Sequence, residues 1–338
     1  MNKKRVLAML LAGAMALSMT ACGGNSASTD GSSNDGGASA SGGSYKVSVI
    51  LKTLAAEYWQ YVKSGAEDYA TEHSDKVTVE VKGPSSETAF DEMQNMIETD
   101  LSSGSYDGVI ISPLQSDTAA QLVSGTKLPI VAIDTNFTAP EVKSFVGTGN
   151  EAAAKKGGEA AVEAAKAAGW TDIKCIEIAG VQGDQTNTAR MNGYKAGVEE
   201  AGGTFLSGEV QYADATADRA TTAMEAIMQT HPEGIAIICA NNDDMAMAAA
   251  RAAQGHDAYK NTIFLGFNGD RAACEAILAG QMTMSVAQMA YEMGYKAVET
   301  MVQVLDGETV DEFVDSGSDV VTPDNAQERL GTLKTQLH

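Results

Sequence analysis

The sequence predicts an α/β protein with two doubly wound lobes, each built on a parallel sheet between layers of helices. Short β-rich runs alternate with longer runs of helical periodicity, which is the pattern of parallel α/β sheets. This alternation occupies residues 45–338. A chain of that length exceeds what one hydrophobic core usually holds. The alternation also runs through two comparable halves, and we therefore expect two lobes.

In the first half, runs rich in Val and Ile predict strands, and the periodic stretches between them predict helices. The predicted strands are Lys46–Leu51, Val77–Lys82, Asp107–Ser112, Pro129–Ile133 and Ser144–Val146. The predicted helices are Ala56–His73, Glu87–Ser103 and Gln115–Gly125. This alternation of strands and helices predicts one doubly wound α/β lobe.

The second half repeats the scheme. Its predicted strands are Lys174–Ala179, Thr204–Gln211, Gly234–Cys239, Ile263–Phe267 and Thr283–Val286. Its predicted helices are Glu151–Ala168, Thr188–Ala201, Ala217–Thr230, Asp243–Gln254, Arg271–Ala279 and Tyr291–Leu305. A second doubly wound lobe follows from this order.

Polar and aromatic residues collect just after the predicted strands. Ligands of such sheets bind outside the carboxyl ends of the strands, because the loops there converge with free helix N-termini and backbone amides. The segments in this position are 53–59, 134–136, 181–190, 241–244, 268–271 and Gln288. We expect the binding site to be built from them.

The N-terminus has the features of an export signal over residues 1–21. Basic residues precede an apolar run, Val6–Met19, which is too short to span a bilayer and ends at small residues. Cys22 comes directly after this run, and it resembles the lipidated cysteine of bacterial lipoproteins. An ordinary secretory signal with an incidental Cys22 is the alternative. Residues 22–44 are rich in Gly and Ser and predict a disordered tether.

Charge and cysteine usage exclude several classes of function. The formal net charge of −22 argues against nucleic-acid binding and favours a neutral or cationic ligand over an anionic one. Cys175, Cys239 and Cys274 are odd in number and lack the spacing of metal ligands, which favours buried free thiols over a disulfide or a zinc site. No catalytic constellation follows a strand, and we expect neither an enzyme nor a bound cofactor or metal.

Six segments carry a resemblance to a known family. In chain order they are Leu51–Trp59, Ala132–Asn136, Thr188–Tyr194, Ala240–Ala246, Gly266–Gly269 and Val286–Gln288. Together they resemble the ribose-, allose- and galactose-type periplasmic sugar-binding proteins, the type I solute-binding proteins of ABC importers, and the first segment is most similar to the allose-type branch. The resemblance extends from Tyr45 to the C-terminus.

The resemblance implies two Rossmann-like lobes joined by a three-crossing hinge. It assigns 45–148 and 289–318 to the N-terminal lobe, and 149–288 and 319–338 to the C-terminal lobe. It also implies a ligand held by carboxylates, amides and rings, which together satisfy sugar hydroxyls and cover the apolar faces of the sugar. The implied ligand-binding residues are Lys52, Tyr58, Trp59, Asp134, Thr135, Arg190, Asn192, Asn242, Asn268 and Gln288.

Several of these residues also have structural interpretations. Tyr58 and Trp59 can pack within the lobe, and Asp134 can cap a turn. Asn242 can cap the helix that follows it, with or without a ligand contact. Arg190 and Asn192 are alternative donors from the second lobe.

The sequence departs from the family pattern at four positions, which affects the expected ligand. By the resemblance, Ala56 stands in place of an Asn, Thr135 in place of an Arg or Glu, Ala215 in place of an aromatic residue, and Asn268 in place of an Asp. These changes argue against plain ribose or allose. A bulkier polyol, a modified sugar, a disaccharide or a furanosyl signalling molecule is expected instead.

The predicted function is that of an extracytoplasmic lipoprotein, anchored through Cys22 to the outer face of the bacterial membrane. It would bind a polyhydroxylated ligand by hinge closure and deliver it, as a monomer, to an ABC permease. The alternative is a sensing subunit that presents the bound ligand to a chemoreceptor or a sensor kinase. We expect no nucleic-acid partner.

Overall fold

The computed structural model describes residues 44–337. The predicted signal, residues 1–21, lies outside the described residues, as do Cys22 and nearly all of the predicted tether. Within the described range, none of the helices combines the length and apolarity needed to cross a membrane.

Strands and helices alternate along the described residues. The strands are β1 (Tyr45–Ile50), β2 (Val77–Lys82), β3 (Gly108–Ile111), β4 (Ile130–Ile133), β5 (Val142–Gly147), β6 (Lys174–Ala179), β7 (Thr204–Phe205), β8 (Gln211–Tyr212), β9 (Ile237–Ala240), β10 (Ile263–Asn268), β11 (Met284–Gln288), β12 (Phe313–Asp315) and β13 (Ser318–Val321). The helices are α1 (Glu57–Glu72), α2 (Phe90–Ser102), α3 (Ser116–Val123), α4 (Asn150–Ala167), α5 (Gln185–Glu200), α6 (Ala217–Thr230), α7 (Asp243–Ala253), α8 (Arg271–Leu278), α9 (Ala290–Leu305) and α10 (Ala326–Gln336).

The N-terminal lobe contains a six-stranded sheet in the order β12-β5-β4-β3-β1-β2. All of its strand pairs are parallel. Residues of α1 and α9 pack on one face and residues of α2 and α3 on the other. The sheet is therefore covered on both sides, which explains why its central strands are apolar throughout.

The C-terminal lobe contains a seven-stranded sheet in the order β13-β11-β10-β9-β6-β7, with β8 also paired to β6. Its strands are parallel except β13, which runs antiparallel to β11 at the edge. Residues of α4 and α5 pack on one face, and those of α6, α7 and α8 on the other. The predicted fold class, two parallel-sheet α/β lobes, is confirmed.

Three segments carry the described chain from one lobe to the other. They lie between β5 and α4, between β11 and α9, and between β12 and β13. The first and third are in contact, since the hydroxyls of Thr148 and Ser316 lie 3.3 Å apart. These three crossing segments are the connections between the lobes that the structure describes.

The helix pairs on each lobe approach closely through glycines. A Cβ added at Gly294 of α9 would lie 1.9 Å from the carbonyl oxygen of Val62 in α1. In the other lobe, Gly197 of α5 would bring a Cβ to 2.1 Å from the carbonyl oxygen of Lys155 in α4. The absence of a side chain at these positions lets the backbones touch.

The first strand starts on the side of its sheet that lies away from the strand carboxyl ends. The hydroxyl of Tyr45 donates to the Asp306 carboxylate (2.9 Å), and the Tyr45 amide donates to the carbonyl of Lys76 (2.7 Å). Described chain therefore enters the N-terminal lobe at this amino edge.

One predicted strand differs from the structure. Thr204–Gln211 was expected to be continuous, but Ser207–Glu209 form a 3₁₀ turn between β7 and β8. Gly208 lies at the centre of this turn, and a glycine weakens an extended segment. The structure also contains β12 and α10, which the sequence pattern does not predict.

Candidate functional site

The carboxyl ends of the two sheets face each other across a cavity of about 50 Å³. Loops after β1, β4, β6, β9 and β10 supply most of its wall, so both lobes contribute. The lining residues are Lys52, Ala56, Tyr58, Trp59, Glu87, Asp134, Gly180, Val181, Asp184, Thr186, Asn187, Arg190, Ala215, Asn241, Asn242, Asp244, Met245, Asn268 and Asp270. This is the position at which parallel sheets bind ligands.

A larger recess of about 540 Å³ lies elsewhere on the C-terminal lobe. Its lining includes Thr262 and Thr283, which directly precede β10 and β11. It therefore lies at the amino ends of the strands and belongs to one lobe alone. Volume favours this recess, but strand polarity and the convergence of both lobes favour the smaller cavity as the functional site.

The N-terminal lobe contributes an aromatic and acidic wall. The Tyr58 hydroxyl donates to Asp134 Oδ1 (2.7 Å), and the Trp59 indole Nε1 donates to Glu87 Oε1 (3.0 Å). The two rings meet edge to face, with centroids 4.9 Å apart. Burial, followed by the neighbouring Asp134, raises the pKa of Tyr58 well above its ordinary value. The phenol therefore remains a donor that orients the carboxylate.

Backbone strain is concentrated at this cavity. Asp134, Ala215 and Asn268 have positive backbone φ angles of 62°, 59° and 131°, which residues other than glycine seldom adopt. All three residues line the cavity. Strained backbone persists where surrounding contacts hold it, and such sites are often functional.

Buried polar contacts connect the lobes across the cavity. The Lys52 ammonium bonds Asp184 of the opposite lobe and lies 3.9 Å from Asp134 Oδ2. The Thr135 hydroxyl lies 2.6 Å from that of Thr186 and donates to Asp134 Oδ2 (2.9 Å). Burial alone would lower the pKa of Lys52, but Asp184 and Asp134 outweigh burial and raise this pKa. The lobes are therefore in contact and the site is closed.

The second lobe holds its arginine rigidly. Arg190 Nε donates to Asn150 Oδ1 (2.8 Å), and Nη1 donates to the carbonyl of Asn241 (2.8 Å). The guanidinium carbon lies 3.8 Å from the centre of the Phe267 ring. These contacts fix the guanidinium plane at the edge of the cavity.

The predicted amide residues occupy different layers of the wall. Asn242 lines the cavity while its Oδ1 accepts from the Met245 amide (2.9 Å) as an N-cap, and its Nδ2 donates to the carbonyl of Ala215 (3.1 Å). Asn268 lines the cavity and accepts from Gln288 Nε2 (3.0 Å). Gln288 itself is fully buried behind Asn268. The capping interpretation of Asn242 thus holds alongside its place in the wall.

Several buried or partly buried carboxyl groups lie at or close to the cavity, in both lobes. Asp243 accepts from the Ser285 hydroxyl (2.6 Å) and from the Asp270 amide (3.0 Å), and burial raises its pKa to about 6. Burial, and then the charge of Asp243, raises the pKa of Asp270 well above its usual range. Burial also raises the pKa of Glu87, against the attraction of Lys52. Carboxyl groups are therefore numerous at and behind the cavity wall, and burial favours the neutral form of these three.

The structure brings most of the predicted site residues together. Lys52, Tyr58, Trp59, Asp134, Arg190, Asn242 and Asn268 all line the cavity. Thr135 and Gln288 are buried behind it, where they contact Asp134 and Asn268. Asn192 lies on the exposed face of α5, away from the cavity. Of the two alternative donors on α5, the structure therefore places only Arg190 at the site.

Four acidic lining residues were not singled out from the sequence: Glu87, Asp184, Asp244 and Asp270. Three of them lie in the segments after strands, within the first turn of a helix or at its N-cap. Asp184 caps α5 by accepting from the amides of Thr186 and Asn187, at 2.7 and 3.2 Å. An acid at the start of a helix that follows a buried strand was the available signal. Glu87 had no comparable signal.

Comparisons with known proteins agree with this geometry. The family model described as periplasmic binding protein domain matches residues 47–309. The D-allose-binding periplasmic protein of Escherichia coli (strain K12) is 30% identical over 264 residues, which are 75% of this chain and 82% of that protein. The ribose import binding protein RbsB of Bacillus subtilis (strain 168) is 26% identical over 274 residues, 80% of this chain and 85% of that protein.

A solved structure shares the fold. It is an ABC transporter solute-binding protein from Agrobacterium vitis with bound D-fucose, which superposes with a TM-score of 0.76 at 23% identity. The match covers 87% of this chain and all of the other. The family model matches residues 47–309, and the structure has two lobes, three crossing segments and a polar cavity between the lobes. The chain therefore belongs to the periplasmic binding protein family.

Proposed function

We propose that this chain is the extracytoplasmic solute-binding component of an ABC importer and that it binds a sugar or sugar-like molecule in the interlobe cavity. The observation that carries the proposal is the cavity, in which Asp134 and Tyr58 of one lobe face Arg190 and Asn268 of the other. Carboxylate, phenol, guanidinium and amide groups together satisfy hydroxyls as donors and as acceptors. The allose- and ribose-binding relatives support a sugar as the ligand class.

Binding would proceed by closure of the lobes. Rotation at the three crossing segments separates the walls and admits the ligand. Contacts that only the closed form can make then shift the population toward closure. Lys52 would stabilise the closed form, since it bonds Asp184 across the interface. It would also help to form the ligand site, since it lies beside Asp134. The closed protein, as a monomer, would dock on the permease.

A thermal-shift screen tests this proposal. Monosaccharides, polyols, disaccharides and nucleosides are each added at increasing concentration, and a true ligand raises the unfolding temperature because it binds the folded state. At a hundredfold excess over Kd the stabilisation is about 2.7 kcal/mol. If no polyhydroxylated compound shifts the transition, the sugar assignment is wrong.

The variant Asp134→Asn locates the binding site. Asn keeps the shape of the side chain and tolerates the positive φ of this position, whereas Ala would add backbone strain. Losing one charge-assisted hydrogen bond should weaken binding by about ten- to a hundredfold. Asp75→Asn, at an exposed position in the same lobe, is the matched control and should bind as the wild type does.

The lipid anchor is a separate part of the proposal. Cys22 lies outside the described residues, and its lipidation rests on the sequence pattern. Metabolic labelling with a radioactive fatty acid should mark the wild-type protein and leave Cys22→Ser unlabelled. A labelled Cys22→Ser protein would rule out attachment at this residue.

A further inference from the structure

We propose that the solute bound in this cavity carries a protonated amino group, as an amino sugar or another polyhydroxylated amine does. This inference rests on the proposed function and narrows its ligand class. Five carboxylates line the cavity, those of Glu87, Asp134, Asp184, Asp244 and Asp270. The cationic lining residues are Lys52 and Arg190. The acids outnumber the cations, and a protonated amine would supply positive charge that a neutral sugar lacks.

The carboxylates nearest to Lys52 already have their partners. Asp184 bonds the Lys52 ammonium and accepts two backbone amides of α5. Asp134 accepts from the hydroxyls of Tyr58 and Thr135 and lies 3.9 Å from the same ammonium. One lysine is thus shared between two acids. The ion pairs of Lys52 that the structure describes do not include Glu87, Asp244 or Asp270.

Arg190 does not neutralise those acids either. Its guanidinium donates to an Asn150 side chain and an Asn241 carbonyl, and it stacks on Phe267. Around the cavity, the ion pairs that the structure describes are Lys52 with Asp184 and Asp134, and Arg271 with Glu57. The described contacts of the Arg190 guanidinium are therefore with neutral groups, and the described ion pairs do not join it to a lining acid.

Asp270 is the carboxylate most in need of a cation. It is only 7% exposed, and its recorded side-chain hydrogen bond is a long one of 3.4 Å from Asn268 Nδ2. It occupies the N-cap position of α8, yet its carboxylate does not accept the helix amides as a capping side chain usually would. The carboxylate is therefore available to the cavity that it lines.

The surroundings of Asp270 are acidic. The charges of Asp243, Glu57 and Asp244 each raise its pKa further once burial has done so. Of the neighbouring cations, Arg271 pairs with Glu57 (3.3 Å), and Arg329 donates to the carbonyls of Gly269 and Gln288. Without a cationic partner this environment favours the neutral form of the Asp270 carboxyl group, and a cation placed beside it would favour the carboxylate instead. An ammonium group has three donors, and one placed here could donate to Asp270, while Asp244 also lines the cavity.

Glu87 extends the acidic lining to the first lobe. It is partly buried, accepts from the Trp59 indole, and has a pKa that burial raises despite the nearby Lys52. A cationic ligand would therefore meet carboxyl groups on both walls as the lobes close. The formal net charge of −22 adds long-range attraction for a cation.

Calorimetry with matched ligands tests the proposal. Glucosamine, galactosamine and mannosamine are each compared with the neutral parent hexose and with the N-acetyl derivative, which has the same ring but no positive charge. At pH 7 we expect the preferred amine to bind at least tenfold more tightly than both of its neutral counterparts, the effect of one charge-assisted hydrogen bond.

The outcomes separate this inference from the proposed function. A neutral hexose, pentose or polyol that binds as tightly as any amine overturns the amino-group proposal and leaves the sugar-binding function intact. Binding of none of these amines, neutral sugars or polyols overturns both. An Asp270 that stays protonated and simply donates to a neutral hydroxyl would produce the first of these results.

Two variants connect the preference to the carboxylates. Asp270→Asn should reduce the ratio of amine to neutral affinity about tenfold, and Asp244→Asn, at a more exposed position, provides the same test if the first variant does not fold. Asp75→Asn should leave the ratio unchanged. If both cavity variants keep the wild-type ratio, the assignment to these two carboxylates is wrong.

Discussion

Glu177 predicts an unusual pH dependence of stability. The side chain lies in β6, is fully buried, and accepts one hydrogen bond, from Asn241 Nδ2 at 3.2 Å, whereas Oε2 has no protein partner. Burial raises its pKa from 4.5 to about 8, against the opposing effects of Asn241 and Arg190. The carboxyl group is therefore neutral in the folded protein at pH 7.

The sign of the effect follows from proton linkage. Between pH 4.5 and 8 the folded protein holds a proton on Glu177 that the unfolded chain releases, so the free energy of unfolding falls as the pH rises. At about 1.4 kcal/mol per pH unit, a shift from 4.5 to about 8 corresponds to roughly 5 kcal/mol across the window. Most of that loss is expected between pH 5 and 8.

Glu177→Gln isolates this contribution. The amide stays neutral at every pH, so the variant should lose stability less steeply than the wild type between pH 5 and 8. Urea unfolding followed by circular dichroism at four pH values measures both slopes. Asp243 and Asp270, whose pKa values are also raised, affect the wild type and the variant alike. The contribution of Glu177 is therefore the difference between the two proteins in how steeply the free energy of unfolding falls with pH. Parallel curves for the two proteins would refute the reasoning, and Glu225→Gln, at an exposed position of α6, should follow the wild type.

Three further predictions concern packing and accessibility. Gly294→Ala should destabilise the protein by about 1–3 kcal/mol in urea unfolding, because the new Cβ meets the α1 backbone, whereas Gly331→Ala in α10 meets nothing within 4 Å and should stabilise by about 0.5–1 kcal/mol. Ligand binding should change tryptophan fluorescence through Trp59, so Trp170→Phe should keep the signal and Trp59→Phe should lose it. A thiol reagent at pH 8 should leave Cys175, Cys239 and Cys274, which are buried, unmodified until denaturant is added, and rapid labelling of any of these three in native protein, located by peptide mass mapping, would contradict this.

Much of the fold could be predicted from periodicity alone. The expected ranges Val77–Lys82 and Ala217–Thr230 coincide with β2 and α6 at both ends, because apolar periodicity and flanking turns mark both boundaries. The expected strand Thr204–Gln211 failed at Gly208, since local β-propensity does not show where pairing with β6 is interrupted. The short β12 has only three residues, too few for a periodic signal.

The site was predictable in location but less so in composition. Strand ends indicated the right loops, because parallel strands bring their carboxyl ends to one edge. Within a loop, the direction of each side chain depends on packing: Arg190 and Asn192 are two residues apart on a helix and must point to different sides. Asp184 and Asp270 resemble ordinary caps in sequence, and only the folded chain shows that they converge with Asp134.

The position of Tyr45 has a practical consequence. The described chain enters the first lobe at the edge remote from the cavity mouth, and the Tyr45 hydroxyl is attached there to Asp306. A surface, dye or fusion partner joined ahead of Ser44 would leave ligand access and hinge rotation unobstructed. A chip-immobilised sensor built on this protein is therefore best coupled through its N-terminal end.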